Sequence, residues 1–155
     1  MVKKSKRYSA KNVKKEVKEP FRAYQAPLLS VLISMSYNDI SEAHLSGQSL
    51  VDIQNQTSLS VQNLASIIGV SKSKYYDLIG SDDLGVKNID ALVDFATLWQ
   101  TGLNAFDDDT ALLKEWLDSR NTNLGEIRPI ELLSTRVGRR TLEKALLRIE
   151  YSTYG

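Results

Sequence analysis

The sequence predicts an all-α protein, a helix-turn-helix domain followed by a smaller helical domain, and three stretches carry that reading. Residues 60–80 read as two short helices joined at a glycine corner. Apolar residues then recur at helical spacing over 88–103 and again over 142–149, each time on one stripe. At 155 residues the chain can hold one ordinary domain or two small helical ones that share a core. We place the division at 106/107, after a basic arm over 1–22 and a first domain over 23–106, with the second domain over 107–155.

No window offers the run of about 18 apolar residues that a membrane helix requires, and the first residues lack the apolar core of a signal peptide. A cytosolic protein is expected. Without cysteine there are no disulfides, thiolate zinc sites or cysteine nucleophiles. A net charge of +1 hides an asymmetry: nine Lys or Arg against Glu16 and Glu19 give residues 1–22 a charge of +7, leaving −6 for the remainder. With almost no apolar residue before Phe21, this arm cannot offset its ordering entropy and is expected to be disordered alone. It reads equally as an arm that tracks phosphates by releasing counterions and as a solubilising tail.

Pro20 closes the arm, and the first element is expected near Ala26 and Pro27. Leu28, Leu29, Val31, Leu32 and Ile33 are too densely apolar for a surface helix, so they are core or pair with another chain. Residues 38–45 have weaker helical character, Ser46 and Gly47 make a break, and Leu50 with Ile53 supports a further short helix. His44 is the only histidine. With no cysteine and no carboxylate pair at ligand spacing, it is expected to be a partly exposed helix residue and not a metal ligand.

In the 60–80 stretch, Ser60 caps a helix by accepting a bond from a free backbone N–H, and Leu64, Ile67 and Ile68 share its inner face. That helix must stop at Gly69, where glycine takes a left-handed conformation without steric penalty. Ser71 caps the second helix, with Tyr75, Leu78 and Ile79 inward, and Ala65 supplies the small side chain that a steep crossing needs. Ser71, Lys72, Ser73, Lys74 and Tyr76 would then face outward, residue types that touch phosphates and base edges in a major groove. The same pattern also occurs in ordinary bundles. Asp77, Asp82 and Asp83 make this face less electropositive than DNA would prefer, so affinity for DNA would need cations from elsewhere, and the arm is the source expected here.

Asn88 is expected to cap the longest helix, whose stripe is Ile89, Leu92, Val93, Ala96, Trp99 and Leu103, widened by Phe95 and Phe106. Gly102 is expected to slacken its last turn. Asp107, Asp108 and Asp109 lack the spacing of a calcium loop and suit the start of a helix through its dipole. A helix over 110–117 follows, with Leu113, Trp116 and Leu117 inward, and then a polar loop. Pro129 suits a first helical turn because its missing N–H would be unsatisfied there, and Thr135 can cap the final helix. Leu142, Ala145, Leu146 and Ile149 form its stripe, with Arg139, Arg140, Lys144 and Arg148 outside it. The stripe accounts for packing but not for Tyr151 and Tyr154, aromatics whose usual use near a terminus is insertion into a partner.

From FDDDTALLKEWL through RPIELLSTRVGRRTLEKALLRIEYSTYG the chain resembles the toxin-binding domain of Xre/MbcA/ParS-type antitoxins, preceded in that family by an Xre-like helix-turn-helix. The resemblance implies a type II toxin–antitoxin system whose partner is a RES-domain toxin, an enzyme that degrades NAD. It also implies that the C-terminal end blocks nucleotide access at the toxin's active site. In this chain that role falls to Ile149, Glu150, Tyr151, Tyr154 and Gly155, with Leu146 and Ile149 docking the final helix. Repression of the protein's own operon and homodimerisation are implied as well, and no cofactor is.

Three classes are separable in the sequence. An antitoxin needs only a surface and an exposed terminal segment. An enzyme would need convergent acid, base or nucleophile groups, which one histidine, no cysteine and no phosphate-cradling glycine loop do not supply. A free-standing transcription regulator would share the helix-turn-helix and the arm, but would be indifferent to removal of residues 151–155.

Overall fold

The structure, a computed structural model, describes residues 27–153. The basic arm and the site residues Tyr154 and Gly155 lie outside the described residues. The chain is all-α: α1 (Leu28–Ile33), α2 (Tyr37–Glu42), α3 (Gln48–Thr57), α4 (Val61–Ile68), α5 (Lys72–Ile79), α6 (Val86–Ala105), α7 (Thr110–Asp118) and α8 (Arg136–Thr153). Two 3-10 turns, Thr122–Leu124 and Pro129–Ser134, lie between α7 and α8. Among the described residues the only extended pairing is a single antiparallel bridge, Asn121 to Ile127. None of their helices is long and apolar enough to cross a membrane.

Helix α6 is the axis of the molecule. Ile89, Leu92, Phe95, Ala96, Leu98 and Trp99 are buried along it, more of its circumference than a surface helix buries, because α1, α4 and α8 all pack on it. Phe95 and Trp99 meet with ring centroids 5.9 Å apart. Leu113 and Leu117 of α7, Leu133, and Leu142 and Leu146 of α8 join the same apolar cluster as Leu29, Leu50, Ile53 and Leu64. The core therefore runs without a gap past residue 106. Burying side chains of this size is worth about 1.5–3 kcal/mol each, so each half contributes to the stability of the other.

Several sequence expectations are displaced. Helix α6 starts at Val86 rather than after Asn88. The buried Leu84 is pinned by its N–H to the Leu45 carbonyl (2.7 Å), so the chain can turn upward at Gly85; Asn88 sits inside the first turn and its Nδ2 donates to the Leu84 carbonyl (2.7 Å). Gly102 does not slacken the helix. It is buried, and a Cβ there would meet both Leu113 methyl carbons at 2.9 Å, so the glycine lets α7 lie close against α6. His44 is in the loop after α2 and exposed; its Nδ1 meets Asp83 Oδ2 at 2.9 Å. The bond from His44, with the Gly85 N–H, holds the Asp83 carboxyl below the usual carboxylate range. Asp109 caps α7, its Oδ1 accepting from the Leu112 N–H (3.0 Å), as a carboxylate at a helix start should. Pro129 opens a 3-10 turn and not an α-helix, and Thr135 then caps α8 by accepting from the Gly138 N–H at 3.0 Å.

Candidate functional site: the exposed faces of α5 and α8

Two surfaces carry the residues singled out from the sequence. The first is α4, the corner and α5. Ser60 Oγ accepts from the Asn63 N–H and Ser71 Oγ from the Lys74 N–H, both at 3.1 Å, which fixes the start of each helix. Gly69 holds φ +73°, the left-handed value that ends α4 and turns the chain into α5. Ala65, Leu64, Tyr75 and Leu78 are buried between and beneath the two helices. Burial lifts the Tyr75 hydroxyl to about 12, with the neighbouring Tyr76 adding to the shift.

Ser71, Lys72, Ser73, Lys74 and Tyr76 are all exposed, as expected. At about 100° per residue, Ser73, Tyr76 and Lys72 fall within one arc, while Lys74 lies round toward the flank. Asp77 shares the outer arc with Ser73 and is also exposed.

The second surface is the far end of α8. Leu142 and Leu146 are buried against the core, Leu146 with 1% of its surface exposed. This corrects the expectation that Leu146 docks a partner: the stripe at helical spacing is spent on Phe95, Trp99, Leu113 and Leu117, which enclose it. What Leu146 does is hold α8 in place. One turn on, Ile149 is half-buried and lines a groove with Trp116, Leu124 and Ala145, rimmed by Asn121 and Arg148. Glu150 is half-buried, and Tyr151 is 73% exposed. Ile149 and Tyr151 are therefore not brought together. Two residues separate them by about 200° around the helix, so a partner touching both must wrap the last turn.

Sequence reasoning missed Arg139, which it placed outside the stripe. Its side chain is 11% exposed; Nε donates to Asp94 Oδ2 at 2.5 Å and a terminal nitrogen donates to the Leu133 carbonyl at 2.7 Å. A single side chain thus ties α8 to α6 and to the 3-10 turn before it. An arginine four residues after a predicted helix cap, facing an aspartate 45 residues away, leaves no local signal.

These surfaces define an all-α protein in which a helix-turn-helix shares its core with a C-terminal helical unit. Residues 102–151 match the family model of the antitoxin Xre/MbcA/ParS C-terminal toxin-binding domain. The match begins at Gly102, inside α6, and runs to Tyr151 in the last turn of α8. It supports an antitoxin role in a toxin–antitoxin system and implies a protein toxin as partner. Among curated proteins no match to the chain is found.

Proposed function

We propose that this protein is the antitoxin of a type II toxin–antitoxin pair, and that it neutralises a RES-domain, NAD-degrading toxin by inserting the end of α8 at the toxin's active site. Inhibition then needs no chemistry from this chain. It needs an apolar, aromatic end that stays ordered when the core behind it is full. The exposure of Tyr151 about a turn and a half beyond the buried Leu146 carries the reading. The buried turns of α8 remove most of the ordering cost before the partner arrives, and preorganisation of that kind is where affinity is gained. Ile149, on the opposite side of the last turn, and Glu150 are proposed to join Tyr151 where the partner wraps the helix, and Tyr154 and Gly155 to complete the contact.

Through α5 the same protein is proposed to bind its operator and repress its operon, as a homodimer within a larger complex with the toxin. Ser71, Lys72, Ser73, Lys74 and Tyr76 are the contacts proposed there, because they are exposed at the start of a helix capped by Ser71.

Co-expression with the toxin encoded beside it is the direct test. The full chain is expected to restore growth and cellular NAD, and a chain ending at Glu150 is expected to fail while folding normally. Full protection by the shortened chain would reject insertion of the terminal segment and favour a different toxin contact, whereas no protection by the full chain would favour a free-standing regulator.

A further inference from the structure

We propose that the first turns of α8 supply phosphate contacts to the DNA-binding face, through Arg136 and Arg140. This rests on the reading of α5 as a DNA-reading helix and adds a second source of cations to it. An open concavity of about 440 Å³ lies between the helix-turn-helix corner, at Ile68 and Gly69, and the start of α8, at Arg136 and Arg139. Its floor is α6, with Lys87 and Asp90. A smaller hollow continues it along α8 past Arg140 and Glu143. No residue of α5 lines the concavity; its link to α5 is the corner at Gly69, two residues before the α5 cap Ser71 and the exposed Lys72 and Lys74.

The arginines are in an unfavourable place for a free helix. The positive end of the helix dipole disfavours cations in the first turn, and like charges one turn apart disfavour the helix further. No acidic residue occupies that turn. Arg139 is committed to Asp94 and the Leu133 carbonyl. Arg136 and Arg140 are exposed and make no ion pair or side-chain hydrogen bond among the described residues. With Asp94 neutralised by Arg139, what the concavity offers is Lys87, Arg136 and Arg140 against Asp90 and Glu143. A duplex backbone, with its regular row of phosphates, fits such an edge as an adjunct to groove reading: it positions without specifying sequence.

The test is the salt dependence of binding by the full chain to a duplex carrying the region upstream of its own coding sequence, followed by fluorescence anisotropy. Each phosphate contact removed should flatten the slope of log K against log salt by about 0.9. Arg136→Gln with Arg140→Gln should therefore flatten it by about 1.8, equally on operator and on unrelated duplex. Arg148→Gln, on the same helix but outside the concavity, should leave the slope unchanged. An unaltered slope in the double variant, with the wild type binding normally, would overturn the assignment and leave the α5 reading intact. Loss of toxin binding with DNA binding kept would also overturn it, assigning the arginines to the toxin. If the wild type binds no duplex at any salt, the α5 reading falls and this one with it.

Discussion

Replacing Leu146 by alanine separates the two roles that a residue near the end of α8 can have. Leu146 faces Phe95, Trp99, Leu113, Leu117, Leu133 and Leu142, all buried themselves. Three carbon groups leave the core, at about 0.8 kcal/mol each, giving about 2.4 kcal/mol. The neighbouring rings and branched side chains are held by α6 and α7 and cannot all close in. If about 40 Å³ stays empty, a further ~1 kcal/mol is lost at roughly 24 cal/mol per Å³. The expected cost is thus about 3.4 kcal/mol, and with a urea slope of about 2 kcal/mol per M the midpoint should fall by about 1.7 M. Urea unfolding followed by circular dichroism measures it directly. A loss under about 1 kcal/mol with toxin binding abolished would refute the argument and return Leu146 to the docking surface.

Tyr151→Ala should do the reverse, leaving stability within about 0.5 kcal/mol while weakening toxin binding at least ten-fold; calorimetric titration against an inactive toxin variant checks both halves. Ser60→Ala and Ser71→Ala should each cost about 1 kcal/mol by removing a helix cap, and the two losses should add in denaturant unfolding. Arg139→Ala should cost about 1–2 kcal/mol, a figure reduced because Asp94 is half open to solvent; a double-mutant cycle with Asp94→Asn isolates the ion pair from the bond to Leu133. Tyr75 has a folded-state value raised from 10 to about 12, so the neutral phenol is the form the fold prefers. Its contribution is complete below pH 10 and is lost as pH rises from 10 through 12. Absorbance at 295 nm should show one tyrosine ionising late, and a Tyr75→Phe protein that declines as steeply as the wild type over that range would contradict this.

What the sequence makes legible is whatever acts over a few residues. Ser60, Gly69 and Ser71 announce a helix start, a left-handed stop and a second start, and each acts where it was placed. The stripe of α6 is legible for the same reason. Meetings between distant segments are not: Leu84 against Leu45 moved the start of α6, Leu113 against Gly102 turned a presumed weak point into a close contact, and Asp94 drew Arg139 inward. Leu146 shows the sharper limit. An apolar position at helical spacing is equally suited to its own core and to a partner, and only the third dimension decides between them.

The continuity of the core across α6 makes the molecule difficult to divide. A cut in the corner after Phe106 would strip α7 and α8 from Leu98 and Trp99 and leave an oily flank on what remained, while the released piece would lose the scaffold that keeps its final turn in shape. Under the proposed function, toxin neutralisation and operator binding should therefore disappear in one event when the chain is clipped or melts.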